Sequence, residues 1–248
     1  MNQQNPLRYL VLFAVVSGCV LLVICGVVIS WREREDEQPE NGEAAGDAGV
    51  FQTVCATCHG KKGEGKRELM TPAIASLPRW YVEEQIEKFR SGQRGGHPED
   101  VHGQQMRAAI EPLSTEQIAE AIDYLDGLPA VRHVGSLGGD AVAGYELYRE
   151  NCMACHRFNG HGELVFRSAS LNGLQDWYLL EQLGKFQQGI RGYHPDDESG
   201  AKMRKAVSYL GSEQEKLDIL ALLVELANKY PVVKNSKNQT SKTNSIKP

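Results

Sequence analysis

The 248-residue sequence lacks the excess of basic residues that marks nucleic-acid-binding proteins, because its formal net charge is −5. We therefore expect no nucleic-acid partner. It also lacks convincing runs of alternating apolar and polar residues, the pattern of half-buried strands, and the fold class that we predict is all-α. The remaining composition, 41% hydrophobic and 24% charged, is ordinary for a folded protein. The length suits one large domain or two small ones.

Charge and proline are absent from residues 10–30, LVLFAVVSGCVLLVICGVVIS. A run of this length can cross a bilayer as one helix, and Tyr9 and Trp31 flank it as interfacial aromatic residues do. We predict a single transmembrane helix within an anchor over residues 1–31. A lipoprotein signal ending at Cys19 and a cleaved signal peptide are the alternatives. All three place the rest of the chain outside the cytoplasm.

Two segments lack the apolar residues that a core requires. Residues 32–43 are charged, contain no aromatic residue, and predict a flexible acidic stalk. Residues 230–248 are rich in lysine, contain no acidic residue, and predict a disordered tail. Between them, the glycine-rich stretch 128–140 marks a boundary, and we predict one domain over 44–130 and a second over 131–229.

The two predicted domains are copies of each other. VCATCHG (54–60) and NCMACHR (151–157) lie in the same register at an offset of 97 residues, and no gap is needed to extend the match. A long ungapped match of this kind indicates duplication. The matched pairs that matter below are Cys55 with Cys152, Cys58 with Cys155, His59 with His156, Trp80 with Trp177, Tyr81 with Tyr178, Arg94 with Arg191, and Met106 with Met203.

Each copy contains a Cys-x-x-Cys-His run, which is the attachment signature of c-type haem. The cysteine sulfurs would form thioether bonds to the haem, and the adjacent His59 or His156 would be the proximal iron ligand. A zinc site is an alternative in which His97 or His194 supplies the fourth ligand. A redox disulfide is a weaker one, since the βαβ pattern that usually carries it is absent.

The second axial iron ligand should occur in both copies. Met106 and Met203 each lie 47 residues after the proximal histidine, and His97 and His194 each lie 38 residues after it. Bis-histidine ligation therefore competes with His/Met ligation. We favour methionine, which raises the reduction potential and suits electron transfer to a high-potential acceptor.

The repeated segments resemble class I cytochrome c domains, and their pairing resembles the diheme cytochrome c4 family. CATCHG with WYVEEQIEKFRSGQRGGHPEDVHGQQM, and CMACH with WYLLEQLGKFQQGIRGYHPDDESGAKM, carry the resemblance over roughly residues 44–228. It implies two covalently bound haem c groups in small helical domains related by a pseudo-two-fold axis, with the haem propionate edges facing each other. The family's axial methionine matches Met106 and Met203. Its proximal proline matches Pro72, whereas Ala169 stands at the second position and leaves the orientation of His156 to be tested.

Other duplicated residues are candidates for contact with the haem or its propionates, and the aromatic ones are also candidates for contact between the domains. For the aromatic pairs, the alternative is ordinary core packing, and for the arginines it is a solvated turn. The candidates are Trp80, Tyr81, Arg94, Trp177, Tyr178 and Arg191.

The function that we predict is transfer of single electrons by a membrane-anchored diheme carrier that is not itself an enzyme. The expected partners are the bilayer, a quinol-oxidising complex, and a terminal oxidase or reductase. The expected location is the inner membrane of a bacterium, with the haem domains on the periplasmic side. A diheme peroxidase and a fixed subunit of a larger oxidase or dehydrogenase are the alternatives.

Overall fold

The computed structural model describes residues 48–133 and 135–234. Within these residues, no helix is both long enough and apolar enough to cross a membrane. The predicted anchor (1–31), the stalk (32–43) and the last part of the predicted tail (235–248) lie outside the described residues.

Helices and loops make up both repeats. The first contains α1 (Ala48–Val50), a π-helical turn (Phe51–Cys55), α2 (Ala56–His59), a 3₁₀ turn (Arg67–Leu69), α3 (Arg79–Arg90), α4 (Val101–Ile110) and α5 (Thr115–Gly127). The second contains α6 (Ala141–Asn151), α7 (Met153–His156), a 3₁₀ turn (Leu164–Phe166), α8 (Asp176–Gln187), α9 (Glu198–Val207) and α10 (Glu213–Lys229).

The helical fold class is confirmed for the described residues, in which the β-type pairs that occur are two isolated bridges, Lys66 with Thr71 and Glu163 with Ser168. The two bridges lie at equivalent positions. Helices α3 and α8 begin 97 residues apart, as do α4 and α9 and the two 3₁₀ turns. The duplication read from the sequence is therefore also a duplication of structure.

Local sequence sets the helix ends. Ser114 with Gln117 and Ser212 with Glu215 form capping boxes at the starts of α5 and α10, where the side chains satisfy backbone N–H groups that lack a helical partner. Gly92, with φ of 79°, lies just after α3, where the left-handed conformation that ends a helix favours glycine.

Apolar side chains at helical spacing form the cores. In the second domain, α10 packs against α6 and α8, and the buried residues include Tyr148, Phe186 and Leu220. In the first domain, Phe51 packs on α5, and Phe89 of α3 packs against Ile122. These cores fix α3 and α8 with one face toward the opposite domain.

Reciprocal contacts join the two domains. Lys88 Nζ lies 2.7 Å from Asp197 Oδ1, and Lys185 Nζ lies 2.9 Å from Asp100 Oδ1. Since Lys88 is the counterpart of Lys185 and Asp100 that of Asp197, one contact is formed twice with the roles exchanged. Contacts of this kind arise from a two-fold relation between the partners.

Residues 230–234, the first part of the predicted tail, contact both domains. The Tyr230 carbonyl accepts hydrogen bonds from His161 Nε2 and Asn172 Nδ2, each at 2.8 Å. Lys234 Nζ donates to the Leu125 carbonyl at 3.2 Å and lies 3.5 Å from Asp126 Oδ1. The body of the protein therefore extends at least to Lys234, beyond the predicted boundary at 229.

Candidate cofactor site

A largely apolar cavity of about 550 Å³ runs through both domains. Its volume lies in the range of cofactor sites, roughly 300–1,000 Å³. Both Cys-x-x-Cys-His motifs line it, with core side chains from each domain: Cys55, Cys58, His59, Cys152, Cys155, His156, Phe89 and Phe186 are among its walls. The duplicated motifs therefore open onto one continuous space.

The two proximal histidines are held in the same way. His59 Nδ1 lies 2.9 Å from the Pro72 carbonyl oxygen, and His156 Nδ1 lies 2.9 Å from that of Ala169. A carbonyl can only accept, so Nδ1 carries the proton in both rings and Nε2 presents its lone pair. Burial lowers the pKa of both imidazoles, which keeps them neutral, and a neutral imidazole is the form that binds a metal.

Replacement of the family's proline by Ala169 leaves the histidine bond unchanged, because the acceptor is a backbone carbonyl. We expect Ala169→Pro to raise the free energy of unfolding by about 0.4–1 kcal/mol, since proline reduces the freedom of the unfolded chain and Pro72 shows that the equivalent loop accepts it. Chemical denaturation of the haem-loaded protein would measure this. A loss of stability would show that the two loops differ at this residue.

The cysteines of the two motifs are not part of a preformed metal site. Burial raises the pKa of Cys55 to about 11 and that of Cys152 to about 12, so both are protonated thiols when no metal is bound. Among residues 48–133 and 135–234, no three His, Cys, Asp or Glu side chains are grouped so as to hold a metal ion. Cys58 and Cys155 are exposed and place one edge of each motif at the surface.

Met106 and Met203 line the cavity, and so does Met70. His97 and His194 are not among the lining residues. Each of their Nδ1 atoms accepts a hydrogen bond at 3.2 Å from the backbone N–H two residues later. The geometry therefore favours methionine over bis-histidine ligation, and the axial assignment stays a prediction.

Two arginines extend from each domain to the other at the centre of the interface. Arg94 donates to Tyr178 OH at 2.7 Å, and Arg191 lies 3.3 Å from Tyr81 OH. Each also donates to a glutamine of its own domain, Arg94 to Gln85 at 2.8 Å and Arg191 to Gln182 at 2.9 Å.

These hydrogen-bond partners are neutral, and both arginines line the cavity. Both are half-buried, and a cation with reduced access to water is stabilised by an anion close to it. The carboxylates of Asp100 and Asp197 supply such charge to Arg94 and Arg191, and the carboxylate of a haem propionate also fits these arginines. The site as a whole fits haem. It offers apolar walls for the ring, two neutral imidazoles for the iron, and guanidinium groups for the propionates.

The aromatic candidates separate into two groups. Tyr81 and Tyr178 are buried and line the cavity, whereas Trp80 and Trp177 are half-buried and are not among its lining residues. Trp80 instead packs edge-on against Tyr81, with ring centroids 5.6 Å apart. Consecutive helical residues point about 100° apart, so a helix that directs the tyrosine into the cavity directs the tryptophan out of it.

Four residues that join the domains were not predicted to do so: Gln85, Gln182, Lys88 and Lys185. All four are duplicated at the 97-residue offset. Polar residues that repeat on an otherwise apolar helix face were the signal that could have identified them.

The cytochrome c family model matches residues 44–129 and 141–227. The match covers more than half of the chain and both repeats. The chain belongs to the cytochrome c family, with two domains and two covalently bound haem c groups, as the two CxxCH motifs require. It is a diheme electron-transfer protein.

Curated relatives include electron acceptors and oxidase subunits. The chain is 28% identical over 165 residues to the thiosulfate dehydrogenase electron acceptor of Stutzerimonas stutzeri (strain A1501), covering 62% of this chain and 73% of the relative. It is 31% identical over 155 residues to the Cbb3-type cytochrome c oxidase subunit FixP of Bradyrhizobium sp. (strain ORS 278), covering 57% of this chain. The second match spans 51% of the relative, about half of its length.

Solved structures agree on the fold. Reduced cytochrome c4 from Pseudomonas stutzeri superimposes with a TM-score of 0.52 at 24% identity, over 73% of this chain and 98% of that one. Thiosulfate dehydrogenase (TsdBA) from Marichromatium purpuratum gives a TM-score of 0.55 at 30% identity, over 74% of this chain and 38% of that one. The first likeness establishes the paired-domain architecture.

Proposed function

We propose that this chain is a membrane-anchored diheme carrier that passes single electrons from a quinol-oxidising complex toward a terminal oxidase or reductase. In this proposal it is not an enzyme, and its haem domains face the periplasm at the inner membrane of a bacterium. Haem c supplies the one-electron iron couple. The chain supplies the ligands, the apolar surroundings and the positions of the two groups.

The observation that carries the proposal is the matched pair of sites on one cavity. Each site has a histidine oriented by a backbone carbonyl 2.9 Å away, and a methionine on the cavity wall. Two equivalent sites with a common interior suit electron passage through the protein. A peroxidase would need one site with an open axial position, and peroxide turnover by the wild-type protein would favour that alternative instead.

Membrane attachment is inferred from the apolar run of residues 10–30. A tethered carrier samples a small volume, which raises its effective concentration at neighbouring membrane complexes. The named roles of the relatives, an electron acceptor and an oxidase subunit, support redox partners of this kind.

Deletion of residues 1–31 tests the tether. We expect unchanged haem spectra, because both sites lie in the described domains, and slower electron delivery to membrane complexes, because the effective concentration falls. Oxygen uptake by membrane vesicles supplied with full-length or truncated protein would measure it. Equal rates at equal protein concentration would contradict the tether.

A fixed subunit of a larger complex is the second candidate, and the similarity to FixP and to TsdBA favours it. Extraction with a mild detergent would separate the two functions. A stable complex containing an oxidase or dehydrogenase subunit would favour the subunit role. The diheme chain alone would favour the mobile carrier.

A further inference from the structure

One surface beside the CxxCH motif is apolar in the second domain and mostly charged in the first. In the second domain, Phe158, Leu164, Val165 and Phe166 are all more than half exposed. We call these four residues the apolar face. Their counterparts in the first domain are Lys61, Arg67, Glu68 and Leu69, three of which are charged. The duplicated fold therefore does not itself require apolar residues here.

The apolar face lies beside the exposed edge of the second CxxCH motif. Ser168 Oγ donates to the Cys155 carbonyl at 2.6 Å, which fixes the turn Leu164–Phe166 next to this cysteine. Phe166 also lines the cavity. The ion pair of Arg157 with Glu163 joins the segment that carries Phe158 to the segment that carries Leu164.

Charge around this face is neutralised within the chain. Arg157 pairs with Glu163, and Arg167 Nη2 lies 3.0 Å from Glu84 Oε2 of the first domain. The equivalent segment of the first domain, residues 60–70, carries four basic and two acidic residues. A neutral apolar surface is complementary to another neutral apolar surface, whereas a basic one attracts acidic partners over a distance.

We propose that the apolar face is the docking surface for one redox partner, a protein whose own cofactor edge is surrounded by neutral apolar side chains. This proposal rests on the electron-carrier function proposed above. Contiguous exposed apolar side chains mark interaction sites on soluble proteins. A face this small forms a brief, low-area encounter, which is the size class of electron-transfer complexes. The partner reaches the second haem site through the edge that holds Cys155, and the first domain is left to a partner of different charge.

The test uses the full chain with both haems, reduced and held in lipid nanodiscs. The probe is an oxidised blue-copper protein whose copper edge is surrounded by neutral apolar side chains. Stopped-flow absorbance gives the second-order rate constant at low salt and at about 0.5 M salt, where the Debye length is only a few ångströms. We expect little change of the wild-type rate constant with salt.

Val165→Glu and Phe166→Glu should each lower this rate constant at least about tenfold, because a central apolar contact is replaced by a charge that must lose its water. Val142→Glu is the matched control, since Val142 is 81% exposed and Val165 is 83% exposed. Val142 lies at the opposite end of α6 from the CxxCH motif. Lys61→Glu is the counterpart control in the first domain. Both control variants should stay within about twofold of wild type at high salt.

Several outcomes would overturn the proposal: equal rate constants for wild type and Val165→Glu, an equal loss in Val142→Glu, or a loss confined to Lys61→Glu. Hexacyanoferrate(III) is a small reagent that needs no docking surface. If Val165→Glu lowered the rate constant for this reagent by the same factor, the effect would lie at the haem and the proposal would be overturned. The proposal would also be overturned if Val165→Glu altered self-association or binding to phospholipid vesicles but left the rate constant unchanged. Failure of the wild-type protein to reduce hexacyanoferrate(III) would instead contradict the electron-carrier function.

Discussion

Met106→Leu and Met203→Leu are each expected to remove half of the far-red absorption that a methionine sulfur gives on ferric haem. Leucine conserves the volume of the side chain but has no sulfur lone pair. The reduction potential of the altered site should fall by on the order of 0.1 V or more, because axial ligands set haem potentials over roughly 0.8 V. The oxidised absorption spectrum and a redox titration of the haem-loaded protein measure both effects.

Met70→Leu is the matched control, because Met70 lines the same cavity but has Arg167 as its counterpart in the second domain. It should leave the far-red band and both potentials unchanged. Loss of half the band in this variant would transfer the axial role in the first domain to Met70. A wild-type protein with two haems and no such band would favour His97 and His194.

Duplication is what made the site predictable. A single methionine or histidine in a chain of this length carries little information, but one that recurs at a fixed offset from the CxxCH motif carries much more. This reasoning reduced the candidates to two pairs, Met106 with Met203 and His97 with His194, and the structure places the two methionines on the cavity wall. The starts of two helices are equally predictable, because the capping boxes of Ser114 and Ser212 depend on only four consecutive residues.

The contacts between the domains could not be predicted from the sequence in this way. Helical periodicity shows that Lys88 shares a face with Phe89 and Gln85, but not that this face meets Asp197 more than one hundred residues away. Trp80 and Tyr81 are adjacent in the sequence, but neighbours on a helix point in different directions, so adjacency does not show which of them faces the cavity. Pairing across an interface depends on how two finished surfaces fit together, and no local pattern encodes it.

Lys88→Met is expected to lower the free energy of unfolding by about 3–5 kcal/mol, the usual result of removing one partner of a buried ion pair. The side chains of Lys88 and Asp197 are 13% and 4% exposed, so the carboxylate is left with little water. Lys88 also lies 3.0 Å from Glu84 Oε1, which loses the same cation. Guanidinium denaturation followed by circular dichroism would measure the loss.

Two variants sharpen this test. Arg149→Met removes an exposed ion pair with Glu146 and should have little effect, because water screens such pairs. The double variant Lys88→Met with Asp197→Asn should recover part of the loss, since the amide oxygen can still accept from the Gly200 N–H that Asp197 caps. A Lys88→Met variant as stable as wild type would show that this pair does not hold the domains together.

The same ion pair predicts how stability depends on pH. Burial alone raises the pKa of Asp197, but the hydrogen bond and charge of Lys88, with help from the Gly200 N–H and the charge of Arg191, outweigh it and hold the pKa below its usual 3.8. Lys185 lowers the pKa of Asp100 in the same way.

A carboxyl with a depressed pKa in the folded state stabilises that state at pH values above its unfolded pKa. This contribution is lost as the pH falls through the folded pKa. Stability should therefore decrease below about pH 4. Lys88→Met should weaken this dependence by removing the cation that lowers the pKa of Asp197. An unchanged profile in the variant would mean that other carboxylates set the acid sensitivity of the protein.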